Sequence, residues 1–453
     1  MILLRCGGIE HQFESKHNVK TTLSSDSRFL CSLSLDQLVN GLRSGVFTSQ
    51  QIVESCLNRI QLRNSAVHGW SNLVADDAIL TARLRDKEPI RGPLHGIPFA
   101  VKDVFKVEST PISYGADHFE REISEVSAHC VETLIEAGGV FLGKTVTAEF
   151  ALYKPGPTRN PHNLGHTPGG SSSGSAAVVA DFQVPFALGT QTAGSIVRPA
   201  SYCGVYGFKP TFGRYDRTGV LETSASLDTV GFFCRSATDA LLVDDVLAVT
   251  PTLSDDSTLA DNYTIGIFRD EHASRASADS LAAMETFVAS LISAGLEVKE
   301  VSAPEHFLGL NEAQKIVHKY EASISLPKLK GFNLGVISPS TKAFLEEAAC
   351  ISETEYQVAR DKIFRLRKSA SEVFQNCDVL VTLAAQGLAP QGIEATGDPL
   401  FNRMWTALGL PAVSFPALHL PGGLPIGLQL VGKEGADAHL LKLLNSLVRI
   451  IKN

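Results

Sequence analysis

The chain lacks any long apolar run, any basic stripe and any acidic tail. No apolar stretch in its 453 residues approaches the roughly 20 residues that span a bilayer. The apolar part of the opening MILLRCGG is short, so we expect no signal peptide. The formal net charge of −8 is spread along the chain. We therefore expect neither nucleic acid nor a membrane surface as a partner.

Cysteine pairs and metal motifs are also missing. The eight cysteines are scattered without a CxxC pair, which is typical of reduced, mostly buried thiols in a cytoplasmic protein. The 13 histidines form no HExxH pattern. His162 and His166 are four apart, but they lie in a loop-like stretch, PHNLGHTPGG, where helical spacing has no meaning. We predict no metal site and no cofactor.

The residues that are present give a globular composition, 44% hydrophobic and 19% charged. Helical periodicity over 33–62, 75–87 and 276–298 alternates with short apolar runs at 378–385 and 424–432. This alternation predicts an α/β protein with a central sheet. Length alone suggests about two or three domains, but no linker is long enough to divide the core.

One motif, GGVFLGKT at 138–145, matches the phosphate-loop pattern GxxxxGK[ST]. A phosphate loop needs a strand before it and a helix after it, with free backbone amides around the anion. Here a helical stretch at 126–137 comes first, and the residues VFL are typical of a buried strand. We interpret the motif as a strand that follows a glycine helix cap. A nucleotide-binding protein stays as a disfavoured alternative.

The run GGSSSGSAAVVA at 169–180 places three serines before an apolar stretch. A serine nucleophile needs a base that accepts its proton. The nucleophile-elbow pattern GxSxG is absent from the sequence, and no pattern supports a His–Asp pair. A lysine can replace histidine if burial keeps it neutral. Lys102 lies in an apolar setting, IPFAVKDVF.

A second glycine-rich stretch, TQTAGSIVRPAS at 190–201, places Ser195 after Ala193 and Gly194. Small residues let the backbone turn sharply, so that consecutive N–H groups can point at one spot. Such a nest of donors is what a tetrahedral oxyanion needs. An ordinary tight turn is the alternative interpretation.

Three blocks together resemble the amidase signature family: GPLHGIPFAVKDVF with Lys102, the serine run, and GTQTAGSIVRPASYCGVYGFKPT. The resemblance implies a single α/β/α fold with a mixed central sheet of about ten strands flanked by helices. It also implies hydrolysis of carboxylic amides through a Ser–Ser–Lys triad, an acyl-enzyme and a backbone oxyanion hole, without a cofactor.

The resemblance runs from about residue 33 to the C-terminus and sets the expected organisation. By composition we expect residues 1–30 to be a poorly ordered extension, and we expect 31–453 to form the amidase domain. Within that domain we expect a signature core at about 92–250, a variable and mostly helical region at about 300–376, and a return to the sheet at 377–453.

Matched position by position, the resemblance implies that Ser195 is the nucleophile and Lys102 the base. The bridging serine, which follows a cis peptide bond in this family, lies 24 positions before the nucleophile. That spacing selects Ser171 rather than Ser172 or Ser173. The implied oxyanion donors are the backbone N–H groups of Thr192, Ala193, Gly194 and Ser195.

The third block departs from the family's commonest form, GTDTGGSIR, at three places. Gln191 replaces an aspartate, Ala193 replaces a glycine, and Arg198 follows the nucleophile by three positions instead of two. A malonamidase-like bacterial branch is similar in the glutamine and the shifted arginine, which there holds a substrate carboxylate. Arg198 is therefore a candidate substrate-binding residue, with a structural ion pair as the alternative.

We predict an enzyme that hydrolyses the C–N bond of a small or medium linear amide. A second hypothesis is the amidase (glutaminase) subunit of a tRNA-dependent amidotransferase, which releases ammonia to a partner. The departures at Gln191 and Arg198 weigh against it. The sequence names neither the amide nor the oligomeric state, and it leaves a homodimer open.

Overall fold

The computed structural model describes residues 27–116, 122–249, 263–419 and 423–452. For 1–26, the expectation of poor order lies outside the described residues. For 27–30 the structure differs from it, because Ser27–Ser32 forms a 3-10 helix. Leu30 is buried there, and the Cys31 N–H donates to Ser55 Oγ at 3.0 Å. Tertiary contacts thus order a segment that its composition does not predict to be ordered.

The strands of the described residues are short and mostly apolar. They are β1 (Trp70–Leu73), β2 (Pro98–Lys102), β3 (Pro111–Ile112), β4 (Glu122–Ile123), β5 (Val140–Thr145), β6 (Phe186–Gln191), β7 (Tyr206–Lys209), β8 (Thr229–Cys234), β9 (Thr264–Phe268), β10 (Glu297–Val301), β11 (Val379–Leu383), β12 (Ala412–His419) and β13 (Pro425–Val431).

Eleven of these strands form one mixed sheet in the order β1-β5-β2-β6-β8-β7-β12-β13-β11-β9-β10, while β3 and β4 pair separately. β2 runs parallel to β5 and β6, and β9 runs parallel to β10 and β11. The other neighbours are antiparallel. The predicted mixed central sheet is confirmed, with eleven strands rather than ten.

The helices carry most of the remaining chain. They are α1 (Leu35–Arg43), α2 (Ser49–Val67), α3 (Ala75–Arg85), α4 (His129–Glu136), α5 (Ser173–Ala180), α6 (Val197–Cys203), α7 (Ala237–Leu247), α8 (Ala278–Ser293), α9 (Leu310–Ser325), α10 (Pro339–Ala349), α11 (Glu353–Lys368), α12 (Arg403–Ala407) and α13 (Asp437–Lys452).

Burial along the central strands explains why helices flank the sheet. β2, β6, β8 and β13 are buried at every position, so both of their faces must be covered. Helices α11 and α12 each pack on α9, and α7 packs on α13. The two groups contribute to different apolar core clusters. The predicted α/β class with flanking helices is confirmed.

The parallel pairing of β2 and β6 brings two distant blocks of sequence to one edge of the sheet. β2 ends at Lys102, and β6 ends at Gln191, directly before the turn 192–195. The carboxyl ends of parallel strands meet at the same edge, which is where sites form in open α/β sheets. The serine run at 169–172 leads into α5, which packs against both strands.

Three further findings concern membrane, thiol and metal chemistry. No helix in the described part of the chain is long and apolar enough to cross a membrane. The seven cysteines in that part are free thiols, all of them buried except Cys350. Within the same ranges, no three His, Cys, Asp or Glu side chains gather as metal ligands.

Candidate active site

Lys102 is a fully buried lysine at the end of β2. Its Nζ lies 2.7 Å from Ser171 Oγ and 2.8 Å from Thr190 Oγ1, so two hydroxyls share the amino group. Burial penalises the ammonium form and lowers the pKa of Lys102 to about 7. A substantial share of the amine is therefore neutral near pH 7 and can accept a proton.

Asp228 is the carboxylate that acts on Lys102 from a distance. Its charge raises the lysine pKa, against the larger effect of burial. It accepts hydrogen bonds from Thr192 Oγ1 at 2.5 Å and from the N–H groups of Thr223 and Ser224 at 2.7 and 2.8 Å. Asp228 thus anchors Thr192 and limits how far the lysine pKa falls.

Ser171 follows a cis peptide bond, Gly170–Ser171. The two glycines before it have no room for a side chain. At Gly169, with φ +81°, a Cβ would lie 2.9 Å from Pro199 Cα, and at Gly170 it would lie 2.8 Å from Thr396 Cγ2. Close backbone packing therefore explains why this turn consists of glycine and serine.

The other serines of the run bind the backbone around the turn. Ser172 Oγ donates to Thr190 O at 3.2 Å, and Ser173 Oγ donates to Val146 O at 3.3 Å. Ser175 Oγ donates to Leu188 O at 2.8 Å. None of the three contacts Lys102 among the described hydrogen bonds. The structure brings only Ser171 to the lysine.

The turn 192–195 presents four backbone N–H groups that have no protein acceptor within the described residues. The next two N–H groups, of Ile196 and Val197, both donate to Gln191 Oε1, at 2.9 and 3.0 Å. Gln191 Nε2 in turn donates to Thr406 Oγ1 at 3.0 Å. Gln191 therefore closes the turn and leaves the four preceding donors free for a ligand.

Ser195 is 9% exposed and lines a small cavity. About 20 Å³ of the cavity is open to the centre of a water molecule, enough for about one water. No hydrogen bond of the Ser195 hydroxyl, to Ser171 or to any other group, occurs in the described part of the chain. The hydroxyl is thus available, and a ligand larger than a water molecule must displace part of the wall.

Arg198 is a cationic side chain in the wall of this cavity. Its Nε donates to Thr396 O at 2.8 Å, and its Nη2 donates to Gly170 O at 2.5 Å. Its buried Nη1 has no partner. Burial lowers the pKa of Arg198 to about 10, which still leaves it charged at neutral pH. No carboxylate pairs with Arg198 among the described residues, so the structural ion pair is not found there.

Arg403, the first residue of α12, is a second buried cation on the same wall. Its Nη1 donates to Gln314 Oε1 at 2.7 Å, while its buried Nε has no partner. His318 of α9 also lines the cavity, and burial, helped by Arg403, lowers its pKa to about 3. The wall thus carries two positive charges and a neutral imidazole.

Residues 151–153 also line the cavity, directly after the buried Glu149. The buried Glu149 carboxylate accepts from the N–H and Oγ of Ser338 and from Thr341 Oγ1 at the start of α10. Phe150 and Ala151 have left-handed backbone angles, φ +47° and +59°, which non-glycine residues adopt at a cost of about 1–3 kcal/mol. The fixed carboxylate therefore helps hold an unfavourable backbone against the cavity.

The phosphate-loop match is a strand in the structure, and it pairs with the strand that carries Lys102. Residues Val140–Thr145 are the strand β5, and the N–H groups expected to wrap an anion take part in the sheet. Lys144 is fully buried, lies 3.5 Å from Asp103 Oδ1 and donates to Pro111 O at 2.9 Å. The interpretation of 138–145 as a strand after a glycine cap agrees with the structure.

The sequence patterns missed five residues of the site. Thr190 lies in the third block, and its hydroxyl could have been recognised there as a hydrogen-bond partner for Lys102. The other four lie outside the core blocks, on α9 and α12, and nothing in their spacing marks them: Gln314, His318, Arg403 and Thr406.

Three comparisons with known proteins agree with one another. The family model described as Amidase matches residues 51–441. A glutamyl-tRNA(Gln) amidotransferase subunit from Anaeromyxobacter sp. (strain K) is 32% identical over 484 residues, covering 94% of this chain and 98% of that protein.

Two solved structures are similar in fold. A crystal structure of an amidase has a TM-score of 0.83 at 28% identity, covering 92% of this chain and 99% of that one. Native peptide amidase from Stenotrophomonas maltophilia has a TM-score of 0.80 at 26% identity, covering 92% and 97%.

Proposed function

The chain belongs to the amidase family and is an amide-hydrolysing enzyme, and we propose that Ser195, Ser171 and Lys102 carry out its reaction. The observation that carries this proposal is the contact of 2.7 Å between a fully buried lysine and Ser171. The four unpaired N–H groups of 192–195 support it, because they offer a ready oxyanion hole beside Ser195.

The proposed proton path runs from Ser195 through Ser171 to Lys102. Neutral Lys102 takes the proton of Ser171, which takes the proton of Ser195 as Ser195 Oγ bonds to the amide carbon. The carbonyl oxygen becomes an oxyanion held by the turn. The proton then returns along the path to the nitrogen, the C–N bond breaks, and the amine leaves. Water repeats these steps on the acyl-enzyme, which releases the acid and restores the serine.

Labelling by a neutral fluorophosphonate probe tests the three roles without knowledge of the substrate. Ser195→Ala should abolish labelling and turnover, and Lys102→Ala should severely impair both. Ser171→Ala should be far more harmful than Ser172→Ala, the matched control, because only Ser171 contacts the lysine. Labelling that survives in Ser195→Ala would contradict the proposal.

We propose further that the substrate carries a carboxylate near its scissile amide. Two buried guanidinium groups line the cavity beside Ser195, and neither has a carboxylate partner among the described residues. Each also keeps an N–H without a partner in that part of the chain, Arg198 at Nη1 and Arg403 at Nε. A buried cation is costly without a counter-ion, and a substrate carboxylate would provide one in bidentate geometry.

A screen of matched neutral and carboxylated amides against Arg198→Ala tests the substrate class. Turnover of the carboxylated amides should fall about 100-fold, in line with the loss of a buried charge-assisted contact. Neutral amides should change little. Because Arg198 also bonds Gly170 O, fluorophosphonate labelling should be measured in the same variant. An equal loss for neutral and carboxylated amides would rule out the carboxylate role.

A second candidate function is that of an amidotransferase subunit, which the 32% identity to such a subunit favours. Glutaminase activity that rises only when partner subunits and tRNA are added would support it. The chain has a net charge of −8 and no basic stripe in its sequence. A partner would therefore have to hold the tRNA. Full activity of the isolated chain on other amides would argue against this candidate.

A further inference from the structure

Gln314 of α9 is a buried side chain that contacts both the oxyanion turn and the cationic wall. It is 0% exposed. Its Nε2 donates to Thr192 O at 2.9 Å, and its Oε1 accepts from Arg403 Nη1 at 2.7 Å. It belongs to the variable helical region, outside the three core blocks.

The contact with Thr192 O acts on an oxyanion donor. The carbonyl of Thr192 and the N–H of Ala193 belong to the same planar peptide unit, so a bond to one end orients the other. The next peptide unit is held in the same way, because Thr406 Oγ1 donates to Ala193 O at 2.8 Å. Two side chains thus fix two consecutive donors of the turn.

Arg403 decides which end of the Gln314 amide faces the turn. A guanidinium only donates hydrogen bonds, so the Gln314 oxygen must point at Arg403. The Gln314 Nε2–H₂ group is then left to face the Thr192 carbonyl. Without Arg403 the amide could flip, and its oxygen would repel that carbonyl.

We infer that Gln314 is a positioning residue for amide hydrolysis, and that it couples the charged wall at Arg403 to the oxyanion donors of 192–195. The inference rests on the proposed function of Ser195 and its turn. It adds a residue that contacts neither the proposed proton path nor the nucleophile.

The test compares Gln314→Met and Gln314→Glu by the rate of labelling with the neutral fluorophosphonate, and by kcat and KM on any amide that the enzyme turns over. Methionine removes both hydrogen bonds at similar volume. Glutamate keeps an acceptor for Arg403 but removes the donor to Thr192. Both variants should label about 10- to 100-fold more slowly, less than the roughly 10²–10³-fold effect of losing an oxyanion donor outright. The loss should fall on kcat, with KM for neutral amides changed less than about threefold.

Gln183→Met is the matched control. Gln183 is equally buried, and its side chain bonds Trp70 and Asp181. It should unfold at a lower temperature yet label at the wild-type rate. Wild-type labelling in folded Gln314→Met, or an equal loss in Gln183→Met, would overturn the inference.

Arg403→Met tests the coupling itself, because a neutral probe has no charge for Arg403 to hold. Its labelling should also slow, by about threefold or more. An unchanged rate would overturn the coupling. Failure of the proposed function is distinguishable, since it would appear as labelling that persists in Ser195→Ala.

Discussion

The buried lysine predicts that activity is lost at low pH. Burial lowers the pKa of Lys102 from 10.5 to about 7, which corresponds to about 5 kcal/mol in favour of the neutral amine. Only the neutral amine accepts the proton of Ser171, so activity should fall as pH drops through this value. At pH 5 about 1% of the lysine would be neutral, and kcat/KM should be about 100-fold below its plateau.

The assay is the fluorophosphonate labelling rate between pH 5 and 9, measured beside kcat/KM on an amide substrate. The logarithm of each rate should rise with a slope of one and level off near pH 7. A rate that is independent of pH from 5 to 9, or one that still rises tenfold per unit at pH 9, would refute the neutral-lysine mechanism. The residual labelling rate of Lys102→Ala should show no such change of slope near pH 7.

Replacing Asp228 should shift the pH at which activity is lost in a known direction. Its charge raises the pKa of Lys102, so Asp228→Asn should lower that pKa and move the break to lower pH. Asparagine can still serve as an acceptor for the N–H groups that Asp228 binds. A break that moves to higher pH would contradict the assignment of the titrating group to Lys102.

Two further predictions concern buried charges around the site. Glu149→Gln should lower the free energy of unfolding by about 2 kcal/mol, because charged hydrogen bonds at the start of α10 are lost. It should also change KM, since Glu149 holds the cavity wall. Urea denaturation measures the stability and steady-state kinetics measure KM. An unchanged free energy of unfolding would contradict the anchoring role of Glu149. Lys144→Met should lower that free energy by about 3–5 kcal/mol, because the buried Asp103 loses its only nearby cation among the described residues. Adding Asp103→Asn to Lys144→Met should restore most of the lost stability. Calorimetry should detect no ATP binding to the wild-type protein.

The residues alone indicated a lysine in an apolar setting and two turns of small residues, and the family resemblance assigned their roles. At Gly169 and Gly170 the folded chain has no room for a side chain, which explains the small residues before Ser171. The spacing to Ser195 that the family resemblance implies selected Ser171 among three neighbouring serines, and Ser171 is the one of the three that contacts the lysine.

The parts that were missed depend on contacts between distant segments. Strands β6 and β7 are buried at every position, and β12 is buried over its first half, so they lack the alternation that marks a strand with one solvent-exposed face. Gln314 and Arg403 lie 89 positions apart and meet only in the folded chain. No local pattern can indicate that such residues share a cavity.

The arrangement of charge around Ser195 explains why one lysine can be neutral while two arginines are not. Arginine keeps its proton under burial that removes the proton of lysine, because its intrinsic pKa is far higher. His318 is neutral mainly because burial lowers its pKa, and the charge of Arg403 lowers that pKa further. The two guanidinium charges would favour the proposed oxyanion beside Ser195. The proposed carboxylate-binding wall and the proposed neutral base are therefore consistent with each other, and both depend on burial.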